Sequence, residues 1–138
     1  MPTARNGLAA VAVNNIIYAI GGGNSSFVLS ANQAYDPSTN IWSFKTPMPT
    51  ARDALAAVAV NNIIYAIGGT NTAQTVVYST NEAYNPSTNT WSTKTAMPTG
   101  RSYLAAATVN NIIYAIGGGN AARTVMYSTN EAYDPDSD

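Results

Sequence analysis

The sequence contains no cysteine and no histidine, and these two absences exclude whole classes of chemistry. Without cysteine there is no disulfide, no thiolate nucleophile and no sulfur ligand; without histidine the commonest metal ligand and the side chain that titrates nearest neutrality are missing. Charge is also scarce, at 9% of residues against 46% hydrophobic, a balance that suits a packed domain rather than a disordered chain. Four of the seven acids, Glu131, Asp134, Asp136 and Asp138, fall in the last eight residues, so residues 1 to 130 carry six bases against three acids. So mild an excess lacks the dense basic stripe that displaces phosphate counterions, and no nucleic-acid partner is expected. No segment approaches the roughly 18 apolar residues of a membrane-spanning helix, and Met1-Pro2-Thr3-Ala4-Arg5 begins no apolar run of signal-peptide length. The chain is read as soluble, without a membrane partner, its compartment left open.

What is present is repetition. The nonapeptide Asn-Asn-Ile-Ile-Tyr-Ala-Ile-Gly-Gly occurs unchanged at 14–22, 61–69 and 110–118. Met-Pro-Thr recurs at 1, 48 and 97, and Ala-Tyr-(Asp/Asn)-Pro at 34, 83 and 132. Because the landmarks shift together, the chain divides into units at 1–47, 48–96 and 97–138.

Within a unit, Leu8 to Val13 and Ile16 to Ile20 are short apolar runs rich in β-branched residues, here called strands A and B. The pair Asn14-Asn15 between them tolerates positive φ and predicts a tight hairpin turn. Gly21-Gly22 ends strand B, and a polar loop leads to strand C, expected over about Val28 to Tyr35, Val76 to Tyr84 and Val125 to Tyr133. Asp36-Pro37-Ser38-Thr39-Asn40 is a second turn, because proline cannot donate to a ladder and Asp and Asn bond their own backbone. Strand D follows around Trp42 and Trp91. Four antiparallel strands in about 48 residues make one propeller blade.

These residues resemble the kelch family: a double glycine ending strand B, Tyr-Asp-Pro closing strand C, a tryptophan in strand D, then Met-Pro and an arginine before the next unit. The resemblance implies an all-β fold of four-stranded kelch blades, three per chain. Two departures stand out. The third unit stops at Asp138, where a strand D with its tryptophan is expected, and propellers close with 4 to 8 blades. An array of three leaves two faces uncovered. At roughly 25 cal/mol per Å², several hundred Å² at each end amounts to something on the order of 10 kcal/mol, comparable with a domain's whole stability. A homodimer closing a six-bladed ring is therefore expected, with a fragment of one longer propeller as the alternative. Near-identity of the repeats suggests a recently amplified or a designed consensus sequence. The missing strand would leave an open edge near Met126 to Ala132, with Glu131 and the acidic tail read either as gatekeepers or as a solvated terminus.

Alternation of strand direction puts the D-to-A and B-to-C loops on one face. They deliver Arg5 and Asn6, Arg52 and Asp53, and Arg101, Ser102 and Tyr103, with Asn24, Asn71 and Asn120 on the same rim. In peptide-binding kelch proteins the positions after the arginine and after the double glycine line the ligand face, which the resemblance carries to these residues. As a binding site, the arginines form a ring of guanidinium forks for a carboxylate or other small anion, or for a peptide. As structure, each arginine ties neighbouring blades by bonding carbonyls or stacking on a ring. Arg123 occurs once and carries no claim. The glycine pairs precede neither a helix nor Lys-Ser/Thr, so they read as backbone freedom and close packing rather than a phosphate cradle. Tyr18, Tyr65, Tyr114, Trp42 and Trp91 read as packing residues.

Some kelch-like propellers are copper oxidases or sugar epimerases, but that copper chemistry uses His and Cys-linked Tyr, which this chain lacks. Asp36 and Asp134 belong to turns and Glu82 to strand C, leaving Asp53 without a second carboxylate in its unit. No catalytic residue, metal or cofactor is expected.

Overall fold

The computed structural model describes residues 1–138. Eleven strands form three antiparallel sheets. The first holds β1 (Ala9–Val13), β2 (Ile16–Ile20), β3 (Asn32–Asp36) and β4 (Ile41–Phe44) in sequence order. The second holds β5 (Ala56–Val60), β6 (Ile63–Ile67), β7 (Asn81–Asn85) and β8 (Thr90–Lys94). The third has only β9 (Ala105–Val109), β10 (Ile112–Ile116) and β11 (Asn130–Tyr133), followed by a 3₁₀ turn over Pro135–Ser137. No helix is long and apolar enough to cross a membrane.

The Asn-Asn pairs act as expected. Val13 pairs with Ile16 across a two-residue turn whose Asn14 and Asn15 have φ of 51° and 64°, and the other two copies repeat this. Two consecutive positive φ values give the turn whose twist matches that of its strands.

Strand C begins later than the pattern of β-branched residues suggests. Val28 pairs only with Gly23 in a separate short bridge, and Gly23 also pairs with Asn6. The next residues serve the chain crossings: Leu29 N–H donates to the Gly22 carbonyl, and the Ala31 and Ser30 carbonyls accept from Gly21 and Met48. Each sheet is thus continued beyond its double glycine by a second miniature ladder, with Asp53, Thr70 and Val77, and Ser102, Gly119 and Met126, in the same roles.

The sheets stack face to face, with β1, β5 and β9 side by side. Two apolar cores fill the two seams. Val13, Tyr18 and Ile20 of the first sheet meet Leu55, Ile64 and Tyr84 of the second. Val60, Tyr65 and Ile67 of the second meet Leu104, Ile113 and Ala115 of the third. The Tyr18 and Tyr84 rings lie 5.8 Å apart, and Tyr65 and Tyr133 repeat that pairing at 5.9 Å. Burial pushes the Tyr84 phenol up to about 12.

Each seam is also laced by backbone. Gly22 N–H donates to the Arg52 carbonyl and Gly69 N–H to the Arg101 carbonyl, both at 3.0 Å. Ala54 N–H donates to Gly7, and Tyr103 N–H to Ala54, both at 2.8 Å. A Cβ on Gly21, at φ 65°, would come within 2.6 Å of the Arg52 carbonyl oxygen, so the glycine pairs serve close sheet-to-sheet approach.

At the outer rim the last turn residue of the second and of the third unit latches onto the linker before it. Asn89 Oδ1 accepts from Thr46 N–H at 2.9 Å and from the Tyr84 hydroxyl at 2.8 Å. Asp138 takes the same place one unit on, accepting from Thr95 N–H at 3.2 Å and from Tyr133 at 2.9 Å. Hydrogen bonds from Thr95 and Tyr133 hold its carboxyl down to about 2, against an ordinary 3.8. Because the folded value is the lower one, this contribution is complete above about pH 3.8 and is lost as pH falls through 2. The Thr95 amide resonance is accordingly expected to move only below that window's upper edge, with its midpoint near 2. A midpoint at the ordinary carboxylate value would show that the turn is not held.

Candidate functional site

The repeated arginine sits where the linker enters strand A, under the end of its own sheet. Arg52 is buried and extends both terminal nitrogens inward: Nη1 to the Gly68 and Thr80 carbonyls at 3.1 and 3.0 Å, Nη2 to Ala66 at 2.9 Å and to Glu82 Oε2 at 3.0 Å. Thr50 donates to the other Glu82 oxygen at 2.7 Å. Arg101 repeats the pattern on Thr129, Ala115 and Glu131, each at 3.0 Å. Arg5, partly exposed, bonds Gly21, Ala19 and Gln33, the neutral counterpart of Glu82. Burial lowers the Arg52 guanidinium to about 10, with Glu82 opposing the shift.

This geometry corrects three expectations. The Arg52 and Arg101 forks are spent on their own sheets and do not face the rim as an anion grip. The tie to the neighbouring sheet runs through the arginine backbone carbonyl instead, which accepts from the double glycine. Glu131 is neither gatekeeper nor solvated tail residue, since it pairs with Arg101.

The three asparagines of the B-to-C loops have local duties too. Asn24 Oδ1 accepts from Ser26 and Phe27, Asn71 Oδ1 from Thr75 and Val76, and Asn120 Oδ1 from Thr124 and Val125. Each is a side-chain-capped turn that shapes its loop.

Asn6, Asp53 and Ser102 each pair in the miniature ladder of their own unit. Asp53 Oδ1 and Ser102 Oγ are buried and make no hydrogen bond within the chain. Burial raises the Asp53 carboxyl, with the charge of Arg123 opposing. Arg123 is the residue that sequence reasoning passed over: its guanidinium lies 4.1 Å from the centroid of the exposed Tyr103 ring and also bonds the Tyr103 hydroxyl. Placement of both loops on one face was the available signal. Phe27, Val76 and Val125, one residue before each miniature-ladder pairing, add a half-exposed apolar fringe. No three His, Cys, Asp or Glu side chains gather as a metal would require.

The sheet order, the double glycines and the buried arginines agree with one further observation: the family model of the KLHDC2/KLHL20/DRC7 Kelch-repeats domain matches residues 1–119. The chain belongs to the kelch-repeat family. Its sheets are kelch blades, and the family is one of β-propeller protein-interaction modules. No curated protein matches the chain. In kelch terms, the polar pair Asp53 and Ser102, the stacked Tyr103 and Arg123 and the apolar fringe belong to the D-to-A and B-to-C loops of three successive blades.

Proposed function

We propose that this kelch chain is a non-enzymatic scaffold that associates with a second copy of itself to close a six-bladed ring. The carrying observation is that its two outward blade faces are the two halves of a seam already made twice inside the chain. Ile64 and Ile113, covered by the preceding blade, are 0% and 1% exposed, whereas Ile17 at the same position is 38% exposed. Val60, covered by the following blade, is 4% exposed, whereas its counterpart Val109 is 56% exposed.

The remaining seam groups match in kind. Gly21 and Gly68 lie against the next arginine carbonyl, while a Cβ on Gly117 would meet only the Tyr127 carbonyl, at 3.7 Å. The Arg5 carbonyl of a second copy supplies the acceptor that Gly118 N–H needs, as Arg52 and Arg101 do for Gly22 and Gly69. Met1 of that copy supplies the linker methionine: it is 45% exposed, against 2% for Met48 in the first seam.

Light scattering over a range of concentrations tests this. The expected mass is twice 14.4 kDa. A stable mass of 14.4 kDa at all concentrations would overturn self-closure and favour blades of one longer propeller covering the same faces. A second reading, recognition of a peptide at the rim, is favoured by the half-exposed Phe27, Val76, Tyr103 and Val125. Recognition of a small anion by the repeated arginines loses its support because their forks are occupied.

A further inference from the structure

Each Asn-Asn turn contains more than its hairpin needs. Both central residues have positive φ, and the second, at 64° in Asn15 and Asn62 and 63° in Asn111, is filled with least strain by glycine. Asparagine stands there in all three units. Other asparagine side chains are spent on the fold: Asn40 and Asn89 accept from tyrosine hydroxyls, and Asn24, Asn71 and Asn120 cap their loops. Asn14, Asn61 and Asn62 are exposed, and their carboxamides bond nothing else in the chain.

The second blade departs from the other two in the same neighbourhood. Asn85 stands where the first and third units carry Asp36 and Asp134. Its Oδ1 accepts from Ser87 N–H at 2.9 Å and from Ser87 Oγ at 2.7 Å, the same cap that Asp36 gives Ser38 at 2.8 and 2.6 Å. A carboxylate therefore serves this turn as well as a carboxamide does, and the Nδ2 group of Asn85 is surplus to it.

These surplus groups come together. A cavity of about 300 Å³ lies between the first and second blades, lined by Asn14, Asn61, Asn62 and Asn85 with Ile63 and Pro86. No charged side chain lines it. Both blades have all four strands, so its walls are complete within the chain. It lies at the far end of β5 from Asp53, away from the rim loops.

We infer that this cavity is a binding site for a neutral carbohydrate. A carboxamide sets two donors beside an acceptor, and a sugar hydroxyl both donates and accepts, so neighbouring hydroxyls are matched by neighbouring carboxamides. An anion would need a cationic partner here and a cation a carboxylate, and the walls supply neither. Ile63 and Pro86 offer the C–H face of a pyranose its apolar contact. The site is independent both of self-association and of peptide recognition at the rim.

The test is an NMR titration of the 138-residue chain with three neutral trisaccharides. Maltotriose, cellotriose and triacetylchitotriose are each added up to about 50 mM, which saturates a millimolar site. At least one is expected to give saturable shifts of the side-chain NH2 resonances of Asn14, Asn61, Asn62 and Asn85, leaving those of Asn110 and Asn111 in place. Asn62→Gly, which keeps the turn, and Asn85→Asp, which keeps the cap, are each expected to weaken binding about five-fold or more, the effect of one lost hydrogen bond. Asn111→Gly, the same change in the third unit, is expected to leave binding unchanged. Urea midpoints of Asn62→Gly and Asn85→Asp no lower than the parent's show that lost binding is not lost folding. Absence of saturable shifts with all three sugars, equal shifts at the Asn110-Asn111 turn, or unaltered affinity in both variants would overturn the inference.

Discussion

Replacement of Arg52 by alanine is expected to destabilise the chain by about 3–5 kcal/mol, because it leaves the buried Glu82 carboxylate without its cation. Three carbonyls, of Gly68, Thr80 and Ala66, lose their donors at the same time, and each buried polar group left without a partner adds to the cost. Lysine is not an adequate substitute, since a single ammonium cannot reach the acceptors that the planar guanidinium fork meets in several directions. Glu82→Gln is expected to be far milder, about 1 kcal/mol, because Gln33 already pairs with Arg5 at this position in the first blade. Urea denaturation of the two variants gives the comparison. A loss below about 1 kcal/mol for Arg52→Ala would mean that the clamp is not a structural element.

The second large effect separates a seam inside the chain from one between copies. Gly68 and Gly117 have nearly the same φ, 68° and 66°, so alanine at either position carries the same left-handed penalty of about 1–2 kcal/mol. Their surroundings differ. A Cβ on Gly68 comes within 2.6 Å of the Arg101 carbonyl oxygen, whereas one on Gly117 has nothing nearer than 3.7 Å. Gly68→Ala is therefore expected to cost about 3 kcal/mol or more and to loosen the second seam. Gly117→Ala is expected to cost only the backbone term and leave the chain folded. If copies meet through this face, the same alanine collides with the Arg5 carbonyl of the partner, and the scattering mass falls from twice the chain mass to one. A Gly117→Ala protein that stays dimeric would show that any pairing uses another surface.

Much of the fold is legible in the sequence because the signals are local. Two asparagines between β-branched runs dictate the hairpin, and a glycine pair cannot continue strand B. Strand C was misjudged at its start, since Val28 has a strand former's side chain while Leu29 to Ala31 send their backbone bonds to glycines and linkers. No local pattern reveals that. The site suffered from the same cause at longer range. Arginine at a loop position reads as a surface cation until the glutamate 30 residues further on is known to lie beneath it. Arg123 failed the opposite way: without a repeat partner it looked incidental, yet the fold brings it onto Tyr103.

The two uncovered blade faces differ from each other, one shaped like the front of a blade and the other like the back. If copies join through these faces, as proposed, each joining event leaves a fresh end of each kind, as in an addition polymerisation. Such growth would stop only when the rotation accumulated along the array returned the last end to the first. A small change in the angle between blades would thus exchange a closed particle for an open filament without altering a single contact residue.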